Sequence, residues 1–160
     1  MTLPFNEMPA NSRIWIYQSD RKLNDSELDQ IKLKLTDFLK NWTAHGDDLK
    51  SSFQIRYDRF IIIALNEKSA KASGCSIDAC VHFIQQIEKD YNISLLDKMN
   101  VAFKQGEYVS YKSIVEFKSL IKNNSVSKNT IVFNNLVLDI GDYKNNWEVP
   151  AYKSWHSRFF

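Results

Sequence analysis

The sequence predicts an α+β protein with a ferredoxin-like core. Three observations predict this fold class. Strand and helix patterns follow the order strand, helix, strand, strand, helix, strand over residues 13–104, each helix carries one apolar stripe, and the third strand is apolar on both faces. Two such helices pack on one face of an antiparallel sheet whose central strand is buried. The 160 residues are sufficient for this core and an appendage.

The first elements follow a polar segment. Residues 1–12 are polar and are expected to form a loose N-terminal arm. Residues 13–18 alternate between two faces and predict the first strand. Asn24 fits an N-cap, with Glu27 at the capping-box position, and Gly46 fits the end of the first helix. The apolar stripe of this helix consists of Leu28, Ile31, Leu35, Phe38 and Trp42.

Two strands, a second helix and a fourth strand complete the predicted core. Residues 53–57 and 60–65 indicate a hairpin with Asp58-Arg59 in its turn. Residues 77–91 indicate an amphipathic helix, and residues 100–104 indicate the fourth strand. The buried stripe of the second helix is expected to contain Ile77, Cys80, Val81, Ile84, Ile87 and Tyr91.

Residues 105–160 are expected to form a C-terminal α/β extension, or a small module, packed on the core. A hairpin turn fits Gly106, and Ser113 with Glu116 forms a second capping box before a short helix. Residues 130–133 indicate a further strand. The final segment is too aromatic for a disordered tail. Its rings are Trp147, Tyr152, Trp155, Phe159 and Phe160.

Composition and charge exclude several classes of protein. The net charge is +2 with both signs interspersed, which gives no indication of nucleic acid as a partner. The longest apolar run covers residues 60–65, whereas a membrane-spanning helix needs about 20 residues, so no membrane insertion is expected. There is no signal-peptide pattern, and two cysteines are too few for a disulfide framework. Free thiols and a cytoplasmic location are therefore expected.

Nucleotide and metal chemistry also lack their motifs. The four glycines, at positions 46, 74, 106 and 141, form neither a phosphate-binding loop nor a dinucleotide fingerprint, which argues against an autonomous ATPase. Cys75 precedes the second helix and Cys80 lies on its buried stripe, so the pair is not expected to bind one metal ion. The sequence indicates no cofactor.

The strongest candidate site is the start of the second helix. Gly74, Cys75 and Ser76 lie where unpaired N–H groups and the helix dipole favour an anion, a ligand or a thiolate. For catalysis, His45 is the candidate base and Asp78 the candidate orienting group. The alternative is structural: Cys75 is a small buried side chain, Ser76 is the N-cap and Asp78 complements the dipole.

The aromatic C-terminal segment is the second candidate. Trp147, Trp155 and His156 fit a groove for another protein, because aromatic rings give large contact areas with few rotatable bonds. The alternative is that the two tryptophans hold the C-terminus on the sheet. A stacking platform of Trp15 and Tyr17 for RNA is disfavoured, because the basic pattern that it requires is missing.

Six short motifs span nearly the whole chain: residues 13–18 (Arg-Ile-Trp-Ile-Tyr-Gln), 42–46 (Trp-Thr-Ala-His-Gly), 59–63 (Arg-Phe-Ile-Ile-Ile), 74–78 (Gly-Cys-Ser-Ile-Asp), 145–150 (Asn-Asn-Trp-Glu-Val-Pro) and 154–156 (Ser-Trp-His). Together they resemble a family of small uncharacterised bacterial proteins that often carry the label "ABC transporter ATPase". The label implies a Walker loop, a signature loop and a nucleotide-binding domain, and none of these can be placed on the sequence. The resemblance implies no catalytic residues.

Residues 113–155 show a local resemblance to the GYF-type peptide-binding modules. They share a short helix, the stretch at residues 125–133 and a following tryptophan. Gly106-Glu107-Tyr108 stands near the position of the Gly-Tyr-Phe element and lacks its phenylalanine. The resemblance implies binding of a proline-rich peptide.

The sequence therefore favours a non-catalytic protein-binding or adaptor protein with an unidentified protein partner. The alternative is a thiol-dependent enzyme, or a small-ligand site, centred on Cys75. A homodimer formed through the open face of the sheet is compatible with both hypotheses.

Overall fold

The computed structural model describes residues 1–160, which form two compact units. The first unit comprises Met1–Leu96 and Leu138–Ile140, and the second comprises Asp97–Val137 and Gly141–Phe160. The chain contains both helices and strands throughout, so the predicted α+β class is confirmed. The second unit begins at Asp97, so the predicted boundary after residue 104 falls inside it, within a strand.

The first unit contains two long helices and five strands. All predicted helices and strands of this region are present, and one short hairpin is added. The elements are β1 (Arg13–Gln18), α1 (Asp25–Lys40), β2 (Thr43–Ala44), β3 (Asp47–Asp48), β4 (Lys50–Arg56), β5 (Phe60–Asn66) and α2 (Gly74–Tyr91).

The main sheet of this unit has the antiparallel order β1-β5-β4. The central strand β5 is buried from Phe60 to Leu65, as its unbroken apolar pattern predicts. Tyr57 and Asp58 both have positive φ in the turn between β4 and β5, at 55° and 51°. The turn thus adopts the backbone that glycine or asparagine usually provides in tight hairpins.

The core of the first unit lies between the two helices and the sheet. Each helix begins at a capping box, and each presents one buried stripe. Full burial of one Leu or Ile side chain stabilises the unit by about 1.5–3 kcal/mol. The core includes Leu28, Ile31, Leu35 and Leu39 of α1, Cys80, Ile84 and Ile87 of α2, and Ile61, Ile63 and Leu65 of β5.

The complete ferredoxin-like topology is not confirmed, because the sheet has three strands. The strand predicted at residues 100–104 is formed, but it pairs in the sheet of the second unit. The outer edge of β1 pairs instead with a short returning segment. There the Ile14 N–H donates to the Leu138 carbonyl at 3.1 Å, and the Ile140 N–H donates to the Ser12 carbonyl at 3.0 Å.

The N-terminal arm is docked rather than loose. Thr2 forms a parallel bridge with Ser51, and the Leu3 N–H donates to the Ser51 carbonyl at 2.9 Å. The Met1 ammonium group donates to the Leu39 carbonyl at 3.2 Å. A cation is favoured there because the carbonyls at the C-terminus of a helix carry partial negative charge. Hydrogen bonds that the polar composition does not reveal therefore order this arm.

The second unit is built around a four-stranded sheet with the order β7-β6-β8-β9. Its elements are β6 (Asn100–Gln105), β7 (Tyr108–Ser113), α3 (Ile114–Lys122), β8 (Ile131–Phe133), α4 (Ile140–Asn146) and β9 (Glu148–Pro150), with 3-10 turns at Ala151–Lys153 and Trp155–Phe159.

The residues of β6 explain its place in this sheet. Gly106, with φ of 64°, forms the tight turn into β7, so β6 pairs with the next strand in sequence. Phe103 is fully buried and packs edge-on against Phe117 of α3, with ring centroids 5.3 Å apart. Ser113 caps α3 through the predicted box with Glu116. This hairpin and its helix form a second core.

Candidate functional site

The start of α2 is capped by Ser73, not by Ser76 as the sequence suggested. The Ser73 hydroxyl oxygen accepts from the Ser76 N–H at 3.1 Å, and the Ser73 N–H donates to the Ser76 hydroxyl at 2.7 Å. Ser76 is buried in this capping box, whereas Gly74 and Cys75 are exposed. Their N–H groups belong to the first helical turn, which lacks intrahelical acceptors. Of the predicted ligand-binding candidates, only Gly74 and Cys75 face solvent.

His45 lies in a tight turn rather than at the end of α1. The helix ends at Lys40, and β2 pairs with β3 in a short hairpin whose two turn residues are His45 and Gly46. Their φ angles are 52° and 82°. Gly46 is thus needed for a left-handed backbone, as predicted, but in a hairpin turn instead of a helix C-cap.

One open cleft contains both His45 and Cys75. We name it the thiol cleft; it has a volume of about 590 Å³, and its lining includes Phe38, Trp42, His45, Ser73 and Cys75. The Trp42 indole N–H donates to the Ser76 carbonyl at 2.8 Å, which ties the segment after α1 to the start of α2. Asp78 is exposed and does not line the cleft. The predicted base and thiol thus line the same cleft, and the predicted orienting group does not.

The two thiols have different environments. Cys75 is exposed, Cys80 is buried, and both are free. Burial raises the pKa of Cys80 to about 11, and its Sγ lies 3.7 Å from the Tyr17 hydroxyl. Burial also raises the pKa of Tyr17, with the neighbouring Cys80 adding to the effect. Cys80 is therefore a core side chain, and Cys75 is the thiol that solvent and ligands can reach.

Trp147 belongs to the core of the second unit. It is 2% exposed, and its ring packs against Phe133 and Tyr143 with centroids 4.9 and 5.0 Å away. Its indole N–H donates to Asn135 Oδ1 at 2.9 Å. A side chain buried in this way offers no surface to a partner, so Trp147 has the alternative role: it holds the C-terminal segment in place.

His156 is also buried, at 1% exposure. Its Nδ1 shares a hydrogen bond of 2.7 Å with the Ser154 hydroxyl, and its ring stacks on Trp155 at 3.9 Å. Burial, and to a lesser extent the positive charge of Arg158, lowers the pKa of His156 to about 4. The His156 ring is therefore neutral near pH 7, and it supports Trp155 through the stacked contact.

Trp155 remains partly exposed at the centre of a group of rings and cations. Phe159 packs against it with centroids 5.6 Å apart, and Phe160 is 45% exposed. The Arg158 guanidinium lies 5.5 Å from the Trp155 centroid, and Lys118 Nζ lies 5.4 Å from the Phe159 centroid. We name these five residues the aromatic surface.

The two cations of the aromatic surface were missed by sequence reasoning, which singled out Trp155 and His156. A local signal exists for each. Lys118 follows the buried Phe117 on α3, so it lies at the exposed margin of that helix. Arg158 follows Trp155 by three residues, and such residues share a face in a 3-10 turn.

Comparison of the chain with known proteins finds no matching family model, no matching curated protein and no matching solved structure. No group of three or more His, Cys, Asp and Glu side chains is placed to hold a metal ion. None of the helices has the length and hydrophobicity needed to cross a membrane. The chemistry of the thiol cleft and of the aromatic surface therefore carries the functional interpretation.

Proposed function

We propose that the protein is a non-catalytic protein-binding or adaptor protein, and that it contacts its partner through the aromatic surface. The observation that carries the proposal is the partial exposure of Trp155 and Phe159, whose rings touch, together with the exposed Phe160, which packs edge-on against Phe117; the same unit buries Trp147. Tryptophan and other large side chains dominate the energetics of protein interfaces, and contiguous exposed rings mark such sites.

The segment that carries these rings is held rigidly. The Ala151 N–H donates to the Thr130 carbonyl and the Tyr152 N–H to the Lys128 carbonyl, each at 2.9 Å. The buried hydrogen bond between Ser154 and His156 then spans Trp155 and fixes the turn at that residue. Rings ordered before binding lose little conformational entropy on contact, which favours affinity.

The test is affinity purification of a tagged protein from native cells, followed by mass spectrometry. Wild type is compared with the double variant Trp155→Ala/Phe160→Ala and with Leu136→Ala. Leu136 is a matched control because it is a large apolar residue of the same unit that is 62% exposed. We expect a stoichiometric protein that wild type and Leu136→Ala retain and the double variant loses. A partner retained by the double variant, or none on wild type, would contradict the proposal.

A second candidate function rests on the thiol cleft, because His45 and Cys75 line the same cleft. An imidazole and the N-terminus of a helix both favour a thiolate or a bound anion. This candidate is a thiol-dependent enzyme or a small-ligand site. It predicts that iodoacetamide labels Cys75 at pH 6.5 about tenfold faster than an unfolded cysteine peptide, and that His45→Gln slows labelling. Labelling no faster than the peptide would exclude a thiolate function.

A further inference from the structure

We infer that the aromatic surface recognises an acidic protein segment in which an apolar side chain is flanked by Asp or Glu. This inference rests on the proposed function above and adds the chemistry of the partner. It comes from the two cations of the surface and from their positions relative to the rings.

Arg158 and Lys118 are exposed, and neither forms an ion pair with a carboxylate of the chain. Each lies over a ring instead: Lys118 over Phe159, and Arg158 over Trp155, where its Nε–H also donates to the Trp155 carbonyl at 3.2 Å. A cation–π contact holds the charged group against the ring and leaves its outward N–H donors available. A carboxylate from a partner would receive charge-assisted hydrogen bonds there, of the strong class in proteins.

The order of the contacts predicts the pattern of the ligand. The Trp155 and Phe159 rings touch each other edge to face, and each has its cation. These three contacts therefore connect the groups in the order cation, ring, ring, cation. An apolar side chain would cover the rings, and acidic residues on both sides of it would reach Arg158 and Lys118.

The charge of the whole unit supports an acidic partner. The second unit has nine Lys and Arg side chains against five Asp and Glu, a net charge of +4, whereas the rest of the chain has twelve against fourteen, a net charge of −2. Such asymmetry attracts acidic segments and accelerates their association. Nucleic acid is disfavoured, because a typical footprint neutralises about 6–10 phosphates and this surface offers two cations.

The experiment pans a phage-displayed library of random peptides against the full chain. The same library is panned against Trp155→Ala/Phe160→Ala, Lys118→Gln/Arg158→Gln and the control Lys144→Gln, an exposed lysine of α4. Circular dichroism verifies that each variant is folded. Selected peptides are then synthesised, and their dissociation constants are measured by fluorescence anisotropy at low and high salt.

We expect wild type and Lys144→Gln to select peptides with Asp or Glu beside an aromatic or Leu residue. Loss of both cations should raise the dissociation constants of these peptides by about tenfold or more, and added salt should raise them as well.

Peptides that depend on Trp155 but show no acidic enrichment, and that bind Lys118→Gln/Arg158→Gln as tightly as wild type, would overturn this inference while the proposed function stands. Absence of Trp155-dependent peptides would count against both. Single-stranded oligothymidylate is measured in the same anisotropy assay. If it binds more tightly than the peptides and depends on Trp155, the surface binds nucleic acid and both proposals are overturned.

Discussion

The Ser154 hydroxyl and the His156 imidazole Nδ1 lie 2.7 Å apart, and both side chains are buried. The His156 ring stacks on the Trp155 indole, and it also contacts Phe117 of α3 edge-on. The pair therefore connects Trp155 to the core of its unit. A neutral hydrogen-bonded pair is the form that a buried site accepts, since a charged imidazole would lose its hydration. The partly exposed Trp155 is thus supported by a buried histidine that is uncharged.

Protonation of His156 is expected to destabilise the protein in acid. Burial lowers the pKa of His156 from 6.5 to about 4 in the folded state, so the unfolded state binds the proton more readily between these pH values. The free energy of unfolding therefore has its full value above pH 6.5. It decreases as the pH falls towards 4, by about 3 kcal/mol at most. Urea unfolding from pH 7.5 to 4 should show this loss in wild type. In His156→Phe this pH dependence should vanish. If the difference in free energy of unfolding between wild type and His156→Phe does not change with pH, His156 is not the titrating group.

Replacement of the two tryptophans should separate a core residue from a surface residue. Trp147→Ala removes a buried indole and its hydrogen bond to Asn135, and we expect a loss of about 3–5 kcal/mol in the free energy of unfolding. Trp155→Ala removes a partly exposed ring, and we expect a loss of about 1 kcal/mol. Denaturant unfolding followed by circular dichroism measures both. Equal losses would mean that Trp155 serves the core.

The two cysteines should differ sharply in alkylation. Under native conditions one equivalent of iodoacetamide should react, at Cys75, because only this thiol is exposed. Cys80 should react only after unfolding, since burial both shields it and raises its pKa to about 11. Mass spectrometry of tryptic peptides identifies the labelled residue. Cys75→Ser serves as the control and should take up no label when folded; native labelling of Cys80 would disprove its place in the core.

The beginning of α1 should be sensitive to the loss of Glu27. Its carboxylate accepts two hydrogen bonds from Arg21, at 2.8 and 2.7 Å, and one from the Asn24 N–H at 3.0 Å. Arg21 first, and the Asn24 N–H second, lower the pKa of Glu27 to about 2. Glu27→Gln should cost about 1 kcal/mol at pH 7, because solvent screens an ion pair near the surface.

This contribution of Glu27 should be complete above pH 4.5 and should disappear as the pH falls towards 2, because the folded state then loses its preference for the carboxylate. Thermal unfolding at several pH values tests the window. Asp29→Asn, an exposed substitution on the same helix, is the matched control and should leave the melting temperature unchanged. Equal effects of the two substitutions would argue against a special role of the capping box.

Local signals in the sequence predicted most elements of the fold. Asn24 with Glu27, and Ser113 with Glu116, form the predicted capping boxes. Pairing of strands between distant residues is not a local property, which is why the strand at Asn100–Gln105 was expected in the wrong sheet. Its partner is determined by the turn at Gly106 and by burial of Phe103 against α3.

The candidate sites were only partly predictable for the same reason. Ser73 and Ser76 both fit an N-cap from the sequence. In the structure Ser73 has the extended backbone of a cap and its side chain accepts from the Ser76 N–H, whereas the Ser76 carbonyl accepts from the Trp42 indole. The presence of His45 and Cys75 in one cleft depends on a hairpin of two-residue strands, which has almost no sequence signal. The contrast between Trp147 and Trp155 depends on packing, because both are tryptophans within the same aromatic segment.

The return of Leu138–Ile140 to the first unit has a consequence for dissection of the protein. Each unit is made from two separate pieces of chain. A fragment ending at residue 96 would leave the outer edge of β1 uncovered, with the Ile14 N–H and the Ser12 carbonyl deprived of their partners. Bare strand edges recruit other chains, so aggregation of such a fragment is expected. Recombinant work on the first unit alone would require residues 138–140 grafted on or supplied as a peptide.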